Sequence, residues 1–209
     1  MTVTDVHVPT LTTPAAALAV AGDLAGEIAG GAVQRELDGV WPVDALRAVS
    51  GSGLLSILVP TRFGGPDLPR ATAVEVLRIL SRADSAVGQL LLSHYVLSAA
   101  IRGLGDADPA PRLYADILAG AQLGNASVER GTRTSAERLT TVTRRSTGDW
   151  VLRGTKYYAT GALGASWIAV AARIPGTEPT HGATVFVRPE DPGVRLDLER
   201  WSSFGQRGT

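Results

Sequence analysis

The sequence predicts an α+β protein, helical to about residue 120 and made of antiparallel strands after it. Three observations carry this. Apolar residues recur at helical spacing through Ile117 and Leu118. After Gly124 the period switches to the alternation of a strand, as in Thr141-Val-Thr-Arg-Arg145. Short apolar runs then follow one another, separated by glycine- and proline-rich turns at Pro175 to Gly182 and Pro189 to Gly193.

The elements follow in order. Met1 to Thr13 is polar and β-branched and reads as a flexible tail. Thr13-Pro14 opens the first helix, an N-cap followed by a proline whose missing N–H costs nothing there. Leu18, Ala21, Leu24, Ala25 and Ile28 form its inward stripe, and Gly30-Gly31 is the expected end. Trp41-Pro42 starts a second helix with Leu46 and Val49 inward. Leu54 to Val59 is a short apolar run expected to be extended, before a tight turn through Gly64-Gly65-Pro66. Leu68 to Arg82 is a third helix with Val74, Leu77 and Leu80 inward. Asp84 caps a fourth, whose stripe of Val87, Leu90, Leu91, His94, Leu97, Ser98 and Ile101 puts His94 on the apolar face. A fifth helix follows Asp108-Pro109 and ends near Gly120. Strands are expected at Trp150 to Arg153, Trp167 to Ala172, Thr184 to Val187 and Val194 to Leu198.

Composition excludes several functions. The chain of 209 residues is 44% hydrophobic, enough for one large or two small cores. Its 20 basic and 20 acidic side chains cancel, against the basic excess of a nucleic-acid binder. With no cysteine there is no disulfide, thiolate metal site or cysteine nucleophile. The three histidines make no metal-binding pair, so no metal site is expected. No run reads as a membrane span, and Met1 to Thr13 lacks the marks of a secretory leader, so a cytoplasmic location is expected.

The chemistry concentrates between Gly124 and Gly161. Gly124-Asn-Ala-Ser-Val-Glu-Arg-Gly131 is a small-residue strand entering a polar loop with backbone donors. Gly154-Thr-Lys-Tyr-Tyr-Ala-Thr-Gly161 sets two aromatics beside a hydroxyl. One tyrosine of the pair can face a planar ligand, since neighbouring strand residues point to opposite sides. Ser127 and Thr160 offer hydroxyls, Glu129 a base or ring-edge partner, and Arg130 and Arg133 cations for a phosphate. The same residues also suit an ordinary strand with aromatic packing and a solvated loop. His94 reads either as a satisfied core histidine or as a hydrogen-bond donor beside a pocket.

Four pieces in order resemble the acyl-CoA dehydrogenase superfamily. They are Gly53 to Pro60 with Phe63-Gly-Gly65, Asp84-Ser85 ahead of His94, Gly124 to Gly131 with Gly154 to Thr160, and Phe204-Gly-Gln-Arg-Gly-Thr209. The resemblance implies a helical N-terminal domain over 14–120 and an incomplete antiparallel β-barrel middle domain over 121–209. The family's C-terminal four-helix domain, which carries the dehydrogenases' catalytic glutamate, has no counterpart here. Carried across, Ser127, Val128, Glu129, Tyr158, Ala159 and Thr160 are the implied flavin-binding residues, and His94 is the implied catalytic one.

Val128-Glu129-Arg130 and Tyr158 depart from the dehydrogenase pattern and look more like the flavin-dependent monooxygenase branch, similar to dibenzothiophene monooxygenases. That likeness implies FMN or FAD, a separate flavin reductase, a small sulfur- or nitrogen-containing substrate, and a homotetramer at full length. Neither nucleic acid nor membrane is an expected partner. The alternatives are an FAD-dependent acyl-CoA dehydrogenase and a non-catalytic fragment that depends on a partner.

Overall fold

The computed structural model describes residues 8–131, 137–177, 181–197 and 201–209. Contacts divide the chain into a helical unit, Met1–Gln122 with Arg200–Thr209, and a sheet unit, Leu123–Glu199.

The helical unit contains α1 (Pro14–Asp38), α2 (Val43–Gly51), α3 (Arg70–Ala83), α4 (Ser85–Ile101) and α5 (Ala110–Leu118). Thr13 caps α1 as expected, its hydroxyl accepting the Ala16 N–H at 3.2 Å. The helix does not stop at Gly30-Gly31. It continues to a left-handed Gly39 with φ of 64°. Two glycines weaken a helix by only about 1 kcal/mol each, and tertiary contacts from the next turn outweigh that. Arg35 supplies them, reaching back to the Ile28 carbonyl at 2.7 Å and across to Asp84. At 25 residues α1 is, by length and composition, able to cross a membrane, contrary to the expectation that no run would be. Its Ala17, Ala21, Leu24 and Ile28 are instead buried in the core of the helical unit.

Leu54 to Val59 is not extended. Leu54–Ser56 forms a 3₁₀ turn and Thr61–Phe63 another. The cause lies in where the backbone acceptors are satisfied. Tyr95 donates to the Leu54 carbonyl at 2.9 Å, His94 to that of Leu55 at 2.8 Å, and Arg102 to that of Leu58 at 3.1 Å. Side chains of α4 and the turn after it thus take bonds that a neighbouring strand would have taken. On α3 the inward stripe is Ala73, Val76 and Leu80, while Val74 is 64% exposed. Leu80 is inward as expected and Leu77 packs against the core, so only Val74 departs from the expected stripe.

Asp84 joins three helices. One oxygen caps α4, accepting the Ala86 and Val87 N–H groups at 2.9 and 3.2 Å. The other accepts from Arg35 at 3.1 and 2.8 Å. Residues 201–209 also belong to this unit. The Gly205 and Arg207 N–H groups donate to Glu36 at 2.7 and 3.0 Å, and the Arg207 guanidinium caps α1 at the Leu37 carbonyl, 2.8 Å away.

The sheet unit contains β1 (Leu123–Ala126), β2 (Thr141–Arg144), β3 (Trp150–Arg153), β4 (Trp167–Ile174) and β5 (His181–Val187). β4 is its centre. It pairs in parallel with β1 over Trp167 to Val170, in parallel with β2 at Arg173, and antiparallel with β5 from Ile168 to Ile174. β2 and β3 form the expected hairpin. The expected antiparallel barrel is therefore corrected: among the described residues the sheet is mixed and does not close. Parallel pairing of β1 with β4 follows from the long crossover between them, which carries the β2–β3 hairpin. β4 is buried from Trp167 to Ala172 without alternation, the pattern of a strand covered on both faces. Residues 194–197 form no strand, and Leu198 lies outside the described residues.

Asp84→Ala removes the α4 cap and strands a largely buried guanidinium. The expected loss is about 2–3 kcal/mol in urea unfolding. A loss below about 0.5 kcal/mol, the scale of an ordinary surface change, would show that the helices do not depend on this carboxylate.

Candidate functional site

The candidate cofactor residues gather in the sheet unit, on the two segments 124–131 and 154–161. Backbone bonds bring these together. The Tyr157 N–H donates to the Val128 carbonyl at 2.9 Å, an isolated antiparallel bridge, and the Asn125 N–H donates to the Thr160 carbonyl at 2.9 Å. Gly124 makes the approach possible. A Cβ there would stand 3.0 Å from both the Ala162 nitrogen and the Ala165 Cβ.

Ser127, Val128 and Tyr158 are exposed, Val128 by 45% and Tyr158 by 56%. Ser127 donates its hydroxyl to the Asn125 side chain at 2.7 Å. Ala159 and Thr160 are half-buried, and Ala159 packs against the sheet-unit core of Ala126, Ala162, Ala165, Ile168 and Val170. Tyr158 has φ of 56°, in the left-handed region that an aromatic residue enters only under constraint. The constraint is a tight turn in which the Thr160 N–H bonds back to the Tyr158 carbonyl at 2.9 Å. Such strain costs on the order of 1–3 kcal/mol and gathers at ligand sites. The tyrosines differ through the turn rather than through strand alternation, since Tyr158 is not in an extended conformation. The Arg130 guanidinium lies over the Tyr157 ring, 4.3 Å from its centroid, while Tyr158 is turned outward. Arg130 is thus a ring partner, and Arg133 lies outside the described residues.

Glu129 is placed differently from its neighbours. Its side chain is 3% exposed and pairs at 2.7 Å with Lys156, itself 7% exposed. The carboxylate also accepts the Leu139 and Thr140 N–H groups at 2.6 and 2.8 Å. Burial raises its pKa, but the hydrogen bonds from Lys156 and from these N–H groups outweigh burial and hold the carboxyl at about 2. Such a group is neither an available base nor an outward-facing ring-edge partner. Lys156 was not singled out from the sequence. Its signal was its rarity, for it is the only lysine among the 20 basic residues.

His94 lies in the helical unit, fully buried. Its Nε2–H donates to the Leu55 carbonyl, which fixes the proton on that nitrogen. Burial lowers its pKa to about 4, the bond to Leu55 opposing this only in part, so the ring is neutral at pH 7.

Two domain models of one family match the chain. The N-terminal domain model of the acyl-CoA dehydrogenases matches residues 18–121, and their middle-domain model matches residues 125–209. The dibenzothiophene monooxygenase of Rhodococcus qingshengii is 30% identical over 194 residues, 92% of this chain and 46% of that protein. A probable FMNH2-dependent monooxygenase of Pseudomonas putida, SfnC, is 35% identical over 96 residues, 46% of this chain and 24% of that protein. Among solved structures, TdsC from Paenibacillus sp. A11-2 in complex with FMN and indole matches with a TM-score of 0.81 at 26% identity, over 92% of this chain and 48% of TdsC. The chain thus spans about half the length of the full-coverage relatives.

Two pH effects follow. Glu129 sits at about 2 when folded against 4.5 for an unperturbed glutamate. Its contribution to stability is therefore complete above pH 4.5 and lost as pH falls toward 2. Glu129→Gln should flatten the fall in melting temperature across that window; an unchanged profile would remove the ion pair as its cause. His94 is displaced from 6.5 to about 4, so the unfolded chain takes up its proton first. Stability should then fall as pH drops from 6.5 to 4, by at most about 1.4 kcal/mol per unit, and His94→Gln should abolish that slope.

Proposed function

The chain belongs to the acyl-CoA dehydrogenase family, and on that premise we propose that it carries the flavin-holding part of a reduced-flavin-dependent monooxygenase. The substrate class proposed is a small sulfur- or nitrogen-containing molecule, after the dibenzothiophene and indole in the names of its relatives. FMN is the favoured cofactor, since it is present in the TdsC structure and its reduced form is named for SfnC. A separate flavin reductase is the proposed source of reducing equivalents, and a homo-oligomer the proposed assembly of the whole protein.

The observation that carries the reading is the strained, outward-turned Tyr158, held next to Tyr157, whose backbone is bridged to Val128. The donor set suits a flavin. An aromatic ring is presented for stacking on the isoalloxazine, and the hydroxyls of Ser127 and Thr160 stand beside it with the backbone of the same two segments. When bound, the reduced flavin supplies the electrons that activate molecular oxygen, one atom of which enters the substrate. The chain's own part is placement. Tyr158, Ala159 and Thr160 shape one side of the slot and Ser127 and Val128 the other, with Glu129 anchoring the loop from beneath. His94 enters the proposal as a neutral ring. With its one N–H it holds the Leu55 carbonyl, and thereby the 54–58 backbone, without carrying a charge.

The test is direct. The chain is mixed with FMN or FAD and binding is followed by flavin fluorescence. The complex is reduced anaerobically, exposed to oxygen, and offered dibenzothiophene or indole. FMN binding and a product bearing one added oxygen atom are expected. Tightly retained FAD bleached by an acyl-CoA would instead favour a dehydrogenase, and failure to bind either flavin would overturn the proposal for this chain. Tyr158→Ala should weaken FMN binding by roughly tenfold, the scale of about 1–2 kcal/mol for a lost stacking partner.

A further inference from the structure

We propose that the buried Glu129–Lys156 pair is a positioning device that sets the two cofactor-facing segments in register and so determines how tightly and in what orientation the flavin is held. The inference rests on the flavin reading above and adds to it a residue, Lys156, that composition and resemblance did not assign.

Four observations carry it. The pair occupies the hinge points of the site: Glu129 directly follows Ser127-Val128, and Lys156 directly precedes Tyr157-Tyr158. The two side chains meet at 2.7 Å on the buried side, while Val128 and Tyr158 next to them are exposed. The carboxylate binds more than the lysine. By accepting the Leu139 and Thr140 N–H groups it also ties in the chain just ahead of β2. Finally, Lys156 is the chain's sole lysine among 20 basic residues. Every other cation is arginine, and the exception is a compact ammonium in a confined, nearly dry place.

The pair secures the register of the two segments. An isolated bridge at Val128 and Tyr157 is a weak restraint, because a slip of one residue would exchange inward and outward faces. After such a slip Lys156 would take the place of Tyr157 opposite Val128 on the exposed face. A buried ion pair penalises the slip, since it would leave a charge in the interior without a partner. The pair thus adds specificity of pairing where main-chain bonds alone give little. Replacing either partner should loosen the slot without emptying it, as with outer groups that orient a ligand-bearing residue.

The experiment compares the wild-type chain with Glu129→Gln, Lys156→Met and Lys156→Arg. FMN affinity, the visible circular dichroism of bound FMN and the melting temperature are measured for each. Glu129→Gln and Lys156→Met should each weaken FMN binding roughly tenfold or more and change the sign or size of the visible dichroism, while far-ultraviolet dichroism stays as in wild type. Lys156→Arg keeps the cation and should bind FMN more tightly than Lys156→Met. A purely stabilising pair would lower the melting temperature and leave the affinity and dichroism of the folded fraction unchanged, and that result overturns the inference. Should Lys156→Met or Glu129→Gln not fold, Lys156→Arg decides: wild-type dichroism with affinity within about threefold supports charge-based positioning, and wild-type dichroism lost despite full folding overturns it. If wild type itself binds no flavin, the flavin reading fails and this inference with it; if wild type binds and the variants match it, only this inference falls.

Discussion

A carboxylate removed from water must be surrounded by donors, and each unit of this chain is fastened where that demand is met. In the sheet unit Glu129 receives Lys156 and two backbone N–H groups, and three stretches distant in sequence are drawn to one point. In the helical unit Asp84 receives two N–H groups of its own helix and the guanidinium of Arg35. Hydrophobic contact gathers the helices, but it is indifferent to small slides and rotations. The carboxylates are not, because their donors must lie within hydrogen-bonding distance and in fixed directions.

This explains how α1 passes through Gly30-Gly31 and how the loop after β1 takes its path. Arg35 lies beyond the two glycines, and only a continued helix brings it to both Ile28 and Asp84. Likewise, the loop leaving β1 turns Glu129 inward while Ser127 and Val128 stay exposed, with Val128 bridged to Tyr157.

Much of the helical unit was legible because its signals are local. Thr13-Pro14, the Asp84 cap and the α4 stripe through His94 and Ile101 depend on residues a few positions apart, and each stands where its spacing put it. Leu54 to Val59 misled because its partners are far away: Tyr95, His94 and Arg102 take its carbonyls, and no window around residue 56 contains them. The sheet misled for the same reason. Parallel pairing of β1 with β4 depends on a crossover rather than on either strand's composition. At the candidate site the sequence singled out Ser127 for its hydroxyl and the Tyr157-Tyr158 pair for its rings without saying which ring faces out, and Glu129 carried no mark of its inward turn. Its partner was marked only by being unique in the chain, a property of the whole sequence rather than of any motif.

That uniqueness has a practical side. A chain with one lysine, 7% exposed and engaged by a carboxylate, and with no cysteine at all, offers almost no reactive nucleophiles at its surface. Amine-directed esters and aldehydes have little to attach to beyond the terminal amine, and maleimides nothing. The nineteen arginines that remain after Lys156 is set apart from the 20 basic residues are poor nucleophiles at neutral pH. Any single cysteine introduced for a fluorophore or spin label would therefore be the only labelled thiol, and the molecule is by its own composition a clean background for site-directed spectroscopy.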